Sequence, residues 1–225
     1  MSVLIVVAHP DDEVLGCGAT AAVLSARGVS VRACILSGGA EARRNRPAKK
    51  VLHSDTRTAS RLLGMKEPIL GPFPNIKFNV VPTLDMVQFI EQAIRKTKAD
   101  VLFTHHPNDL NDDHLHVSRA CQVAARLFQR RSDVAPLREL HFMEVPSSTD
   151  WSFPGGRSPF QPNTFVEIGE RALGRKIEAL RAYRGVMREF PHPRSAEILR
   201  GLAAYRGGQS GLKYAEAFET AFRVL

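Results

Sequence analysis

"IVVAHPDDEVLG", residues 5–16, joins the end of an apolar run to one imidazole, one proline and three consecutive acids. Residues 2–8 are almost unbroken in their apolar character, the pattern of a strand covered on both faces inside a parallel sheet. Neighbouring carboxylates repel and are costly to desolvate. His9, Asp11, Asp12 and Glu13 at the end of such a strand therefore require compensating positive charge.

Outward from this stretch, strand and helix patterns alternate. A glycine-containing turn precedes a predicted helix over 19–27, stopped by Gly28. A strand is predicted over 29–39, a basic loop over 40–50, and an amphipathic helix over 51–63 before Gly64. "PILGPF" (68–73) reads as a short third strand, residues 83–97 as a helix and "ADVLFTHH" (99–106) as a strand. A helix over 112–129 and a strand "LRELHFMEV" (137–145) follow. "NTFVEI" (163–168) reads as a strand, and 168–184 and 195–206 as helices. "YAEAFETAFRVL" (214–225) fits either type. This order predicts an α/β fold, a Rossmann-like, mainly parallel sheet flanked by helices with a C-terminal elaboration. Without repeats or a linker, residues 1–225 read as a single domain.

The composition is that of a globular protein, 44% hydrophobic and 24% charged over 225 residues. The net charge of +8 comes from dispersed Lys and Arg, with short runs such as Arg43-Arg44, Lys49-Lys50 and Arg130-Arg131. No nucleic-acid signature accompanies them, so the charge is assigned to solubility or to attraction of an anionic substrate. No apolar segment reaches the roughly 20 residues needed to span a bilayer, which argues against stable membrane insertion. The N-terminal residues lack a basic-then-apolar signal pattern. Cys17, Cys34 and Cys121 are scattered in apolar surroundings and read as reduced core residues. A cytoplasmic location is expected, and homo-oligomerisation is left open.

Two polar clusters follow predicted strands: "AHPDDE" after the first, and "THHPNDLNDDHLH" (104–116) after the strand near residue 103. Ligands in open α/β sheets bind beyond the C-terminal strand ends, so these clusters can converge. Two imidazoles and a carboxylate make an open catalytic zinc set. His9 and Asp12 can supply two ligands and one histidine of the second cluster the third. Asp11 then stands outside the ligand set, as a general base toward a metal-bound water. A nucleotide-binding reading is disfavoured, because acids stand where GxGxxG would present backbone amides.

"AHPDDE" followed by "GCGAT", with "HPNDLNDDH" downstream and "HPRS" and "YAEAF" near the end, resembles the PIG-L or LmbE-like family of metal-dependent N-acetyl-sugar deacetylases. The resemblance implies removal of the N-acetyl group from an N-acetylglucosamine-type sugar or glycoconjugate, releasing acetate. It implies a Zn2+ cofactor, or another divalent metal such as iron(II) or cobalt, held by His9, Asp12 and His114. Asp11 matches the catalytic base, and Asp113 the carboxylate that orients catalytic groups. Glu13 is assigned to bracing the turn.

One position departs from the pattern: Asn111 stands where many relatives carry a histidine. The proton for the leaving amine is then assigned to Asp11 itself or to another histidine, His192 first and His106 second. His105 and His106 can also support the ligands, while His116 and His53 are expected on helix surfaces. Asn111, Arg44 and Arg194 are expected to contact the small-molecule amino-sugar substrate, with Arg43 and Arg57 as further candidates. Loops 40–50, 71–82 and 147–162 are expected to shape the pocket. The alternative within the same chemistry is an amidase acting on a thiol-sugar conjugate.

Overall fold

Strand β1 (Ser2–Val7) lies between two parallel neighbours, β2 (Ser30–Ile35) and β4 (Val101–His105), in a computed structural model that describes residues 1–39, 47–153 and 159–225. Its alternate side chains feed two separate cores. Val3, Ile5 and Val7 pack into one apolar cluster, and Leu4 and Val6, with Ala8 beyond them, into the other. This double burial explains why the stretch reads as continuously apolar.

The 7-stranded sheet has the order β3-β2-β1-β4-β5-β7-β6, with β3 (Ile69–Leu70), β5 (Glu139–Met143), β6 (Thr164–Glu167) and β7 (Ala215–Arg223). β1 to β5 are parallel; β7 runs antiparallel to both β5 and β6. The ambiguous C-terminal segment is thus a strand, with Ala215, Ala217 and Phe218 buried. Strand order reverses between β1 and β4, so a crevice opens beyond their C-terminal ends. Helices α1 (Asp12–Ala26), α2 (Lys49–Leu62), α5 (Gly169–Ala182) and α6 (Ala196–Ser210) pack with the first core. Helices α3 (Thr83–Thr97) and α4 (Asp112–Ala124) pack with the second. The predicted 112–129 helix ends early, and a separate 3-10 turn covers Leu127–Gln129. Among the described residues no helix is long and apolar enough to cross a membrane.

The largest departure from the sequence reading is α1, which begins at Asp12 and not at Ala19. Its glycines permit contact instead of making a turn: a Cβ on Gly16 would stand 2.4 Å from Met143 Sδ. The helix breaks at Cys17 (φ −148°, ψ 27°). Beside the break, the Leu15 carbonyl accepts a hydrogen bond from Lys176 Nζ at 2.7 Å. Beyond it, the N–H groups of Ala19 and Thr20 donate to the Glu216 carboxylate at 3.2 and 2.6 Å. Lys176 and Glu216, both buried, are themselves 2.7 Å apart. One ion pair therefore satisfies backbone groups on both sides of the break.

Candidate metal centre

The chain leaves β1 through Ala8–Asp11 and enters α1 with Asp12 and Glu13 in its first turn. Asp11 adopts φ 110°, a left-handed backbone unusual for an aspartate. Its N–H donates to Glu13 Oε2 at 3.0 Å, and Glu13 Oε1 accepts from the Tyr183 hydroxyl at 2.5 Å. Glu13 thus braces the turn as the sequence suggested. Burial pushes its pKa up to about 8, the Asp11 charge adding to the effect and the Tyr183 bond opposing it. Glu13 is mostly neutral at pH 7, so the acid run presents two charges instead of three.

Those two charges have partners. Asp12 Oδ2 lies 3.3 Å from His9 Nδ1 and 3.1 Å from His114 Nε2, and it accepts the His9 N–H at 2.9 Å. Burial would raise the Asp12 pKa, but His114, His9 and His105 around it hold it well below the usual carboxylate range. Asp11 Oδ2 is 3.4 Å from Arg194 Nη1, and Arg194 Nε donates to Ser147 Oγ at 2.7 Å.

Each histidine is backed by its own carboxylate. His9 Nε2 is 2.8 Å from Asp113 Oδ2, which itself accepts N–H groups of Ile76 and Phe78 through its two oxygens at 2.7 and 2.9 Å. This turns His9 Nδ1 toward Asp12. His114 Nδ1 is 3.1 Å from Asp109 Oδ1, leaving Nε2 toward Asp12. Asp109 also accepts from Ser148 Oγ, from Thr149 Oγ1 at 2.7 Å and from the Asn111 N–H at 2.9 Å. Burial would raise its pKa, but the His114 charge and these bonds hold it at about 2.

Sequence reasoning passed over Asp109, although it lies inside the quoted "HPNDLNDDH". Its distance of five residues from the histidine it supports gives no helical-face signal, because a loop separates them.

His105 stacks on His114 with ring centroids 3.8 Å apart, and its Nε2 accepts the Ala8 N–H at 2.9 Å. Burial and the His114 charge lower its pKa to about 3, so it stays neutral. It packs against His114, the contact that the expected supporting role requires. His106 does not: it turns toward Glu219, 3.3 Å away, and toward Phe142 and Phe160.

Donor atoms of His9, Asp12 and His114 all lie within 4.8 Å of one another. Among the described residues the buried His114 Nε2 makes no well-aligned hydrogen bond, although Asp12 Oδ2 lies 3.1 Å away. Burial opposes charge on His114, yet Asp12 and Asp109 raise its pKa to about 10. A buried nitrogen without a well-aligned hydrogen bond, a second imidazole and an ionised carboxylate fit a divalent cation. His105, Asp109 and His114 also bring donor atoms within 4.8 Å, but Asp109 is already committed to Ser148, Thr149 and Asn111.

The first trio opens onto a cavity of about 160 Å³. His9, Asp11, Asp12 and His114 line one part of it; Asn75, Ile76, Asn111, Ser147, Ser148 and Arg194 line the rest, with Gly39. Loops 71–82 and 147–162 therefore contribute, as expected. Asn111 Oδ1 caps α4 by accepting the Asp113 N–H at 3.0 Å. His192 does not line the cavity: its Nδ1 accepts the Arg194 N–H at 3.0 Å and its ring meets Trp151 edge-on. Arg57 pairs with Glu67 on the surface at 2.5 Å. Arg43 and Arg44 lie outside the described residues. His116 is half-buried, 3.3 Å from Asp112. His53 is also half-buried, not on the surface, with Nε2 packed toward Gly38. Cys17, Cys34 and Cys121 are buried free thiols.

Comparison with known proteins identifies relatives of the chain as a whole. A family model described as GlcNAc-PI de-N-acetylase, PIG-L, matches residues 4–125. The uncharacterized deacetylase YaiS of Escherichia coli K12 is 26% identical over 189 residues, 81% of this chain and 90% of its own. The conserved protein TT1542 of Thermus thermophilus superposes with a TM-score of 0.79 at 28% identity, covering 99% of this chain and 96% of that one. Two structures share the fold at lower identity. N,N'-diacetylchitobiose deacetylase of Pyrococcus horikoshii has TM-score 0.77 and 20% identity, over 97% of this chain and 83% of that one. The hydratase GalB of Pseudomonas putida KT2440 has TM-score 0.77 and 19% identity, over 100% and 97%.

Proposed function

The chain belongs to the PIG-L family, and on that premise we propose that it is a metal-dependent N-deacetylase of an N-acetylglucosamine-type sugar or glycoconjugate. The observation that carries this reading is the convergence of His9, Asp12 and His114 beside a cavity that also holds the Asp11 carboxylate. When bound, a divalent ion such as zinc supplies an electrophile that acidifies water and polarises an amide carbonyl.

The chain's own residues do the rest. Asp12 and the two imidazoles hold the ion, and Asp113 and Asp109 fix the ring orientations. Asp11 takes a proton from a water in the cavity. The water oxygen bonds to the acetyl carbon, the carbon–nitrogen bond breaks, and the nitrogen leaves with a proton. The products are acetate and a free amino sugar. Asp11 returns the proton it took; His192, the other candidate for this transfer, stands outside the cavity lining, which favours Asp11. Arg194 offsets the Asp11 charge and, with Asn111, contacts substrate hydroxyls. The left-handed backbone of Asp11 aims its carboxylate into the cavity while Asp12 turns to the ligands.

Acetate release is the direct test, measured across N-acetyl sugars, sugar nucleotides and glycolipids with and without chelator. The expected result is release from at least one amino sugar, abolished by chelator and restored by added Zn2+. Release unaffected by chelator, or from none of the panel, contradicts the reading.

A further inference from the structure

We propose that Tyr183 is a positioning residue for the reaction: acting through Glu13, it keeps the Asp11 carboxylate in the cavity and away from the start of α1. The inference rests on the deacetylase reading and adds to it a residue that does not line the cavity. Tyr183 is buried at the C-terminal end of α5, 170 positions from the glutamate it contacts.

Asp11 holds the N-cap position of α1, where an aspartate ordinarily turns its carboxylate back onto the N–H groups of the first turn. Here the side chain makes no such bond. At φ 110° the Asp11 carbonyl accepts from the N–H groups of Val14 and Leu15 at 3.0 and 2.9 Å, while the carboxylate lines the cavity beside Arg194. Only the reverse half of the capping arrangement is made: Glu13 reaches back to the Asp11 N–H. That bond needs one Glu13 oxygen held toward the turn. The Tyr183 hydroxyl, on the other oxygen at 2.5 Å, holds it there.

Tyr183 is itself fixed. Its N–H donates to the Leu180 carbonyl at 3.1 Å, and its carbonyl accepts from the Val186 N–H at 3.2 Å. The next residue is tied to α2, the Arg184 N–H donating to the buried Asp55 carboxylate at 3.4 Å. A buried phenol hydroxyl needs a polar partner, but any fixed carbonyl would satisfy that need. This one meets the carboxyl that secures the left-handed backbone of Asp11, a conformation an aspartate keeps when its surroundings impose it. Without the hydroxyl, Glu13 is free to rotate and Asp11 relaxes to an ordinary cap. Its carboxylate then leaves the water it must deprotonate.

Removing the hydroxyl alone tests this. Zn2+-loaded Y183F is expected to lose about tenfold or more in kcat on an N-acetyl sugar, with KM and Zn2+ affinity within about twofold of wild type. In the D11N background the same change is expected to cost less than about twofold, because its target is already gone. Amide exchange followed by NMR gives a readout free of turnover. The Asp11 N–H is expected to be protected in wild type and to exchange about tenfold or more faster in Y183F, with the β1 amides unchanged. A Y183F kcat within about twofold of wild type, an equal loss in both backgrounds, or an Asp11 amide that exchanges alike in both proteins overturns the proposal and leaves the deacetylase reading standing. An unprotected Asp11 amide in wild type overturns it whatever becomes of the variant. If wild type hydrolyses no N-acetyl sugar, the deacetylase reading fails, and the exchange measurement alone decides whether Tyr183 holds the turn.

Discussion

Asp109 Oδ1 stands 3.1 Å from Nδ1 of His114, the nitrogen opposite the one that faces Asp12. The pair fixes which face of the imidazole is offered to a cation, and it mirrors Asp113 behind His9. Two histidines from distant segments thus enter the site with rings set by separate carboxylates.

Loss of this support is measurable. D109N is expected to weaken Zn2+ binding by about 10–100-fold, in line with other outer carboxylates. Competition with a chromogenic chelator reads the affinity, and circular dichroism checks the fold. Wild-type affinity in D109N would assign Asp109 to loop anchoring alone.

Asp11 and Asp12 are neighbours with separable roles. D11N is expected to retain one equivalent of metal and lose about 10²-fold or more of the deacetylation rate. D12N is expected to lose the metal itself. A D11N enzyme with full activity would exclude Asp11 as the base.

Glu13 carries a pH signature. Its folded pKa of about 8 lies above the ordinary value of 4.5, so between these the folded state binds more protons than the unfolded chain. Its contribution to stability is therefore present below pH 4.5 and declines as pH rises through 8. E13Q removes this dependence while keeping hydrogen-bonding capacity. In metal-free protein, the Tm of E13Q minus that of wild type is expected to grow between pH 5 and pH 9. A flat difference would show that Glu13 ionises freely.

The break in α1 depends on Lys176 and Glu216. K176M leaves a buried carboxylate without its cation and is expected to cost about 3–5 kcal/mol in urea unfolding. K176M/E216Q is expected to recover part of that loss, because the charge is removed while side-chain hydrogen bonds to Ala19 and Thr20 can persist. A loss below about 1 kcal/mol for K176M would contradict the buried pairing.

Much of the fold was legible because β1 is buried on both faces, and such a strand cannot hide its apolar run. The convergence of His9, Asp12 and His114 was legible for a related reason: polar residues directly after a central strand have few structural explanations. What escaped depended on contacts across the chain. "GCGAT" reads as a turn from local propensity, yet Lys176 and Glu216, distant in sequence, satisfy a helix broken at Cys17. The C-terminal segment became a strand because β5 offered it an edge, a tertiary fact absent from its own pattern. Asp109 was hidden among other polar residues of its loop, and His53 in a helix whose burial only the assembled sheet decides.

The central claim is that His9, Asp12 and His114 hold one divalent cation. Equilibrium dialysis of the metal-free protein against Zn2+, wild type beside H114A, tests it most directly. One equivalent per chain is predicted for wild type, with the tight site lost in H114A while circular dichroism is unchanged. Equal tight binding by both proteins, or none by wild type, would contradict it.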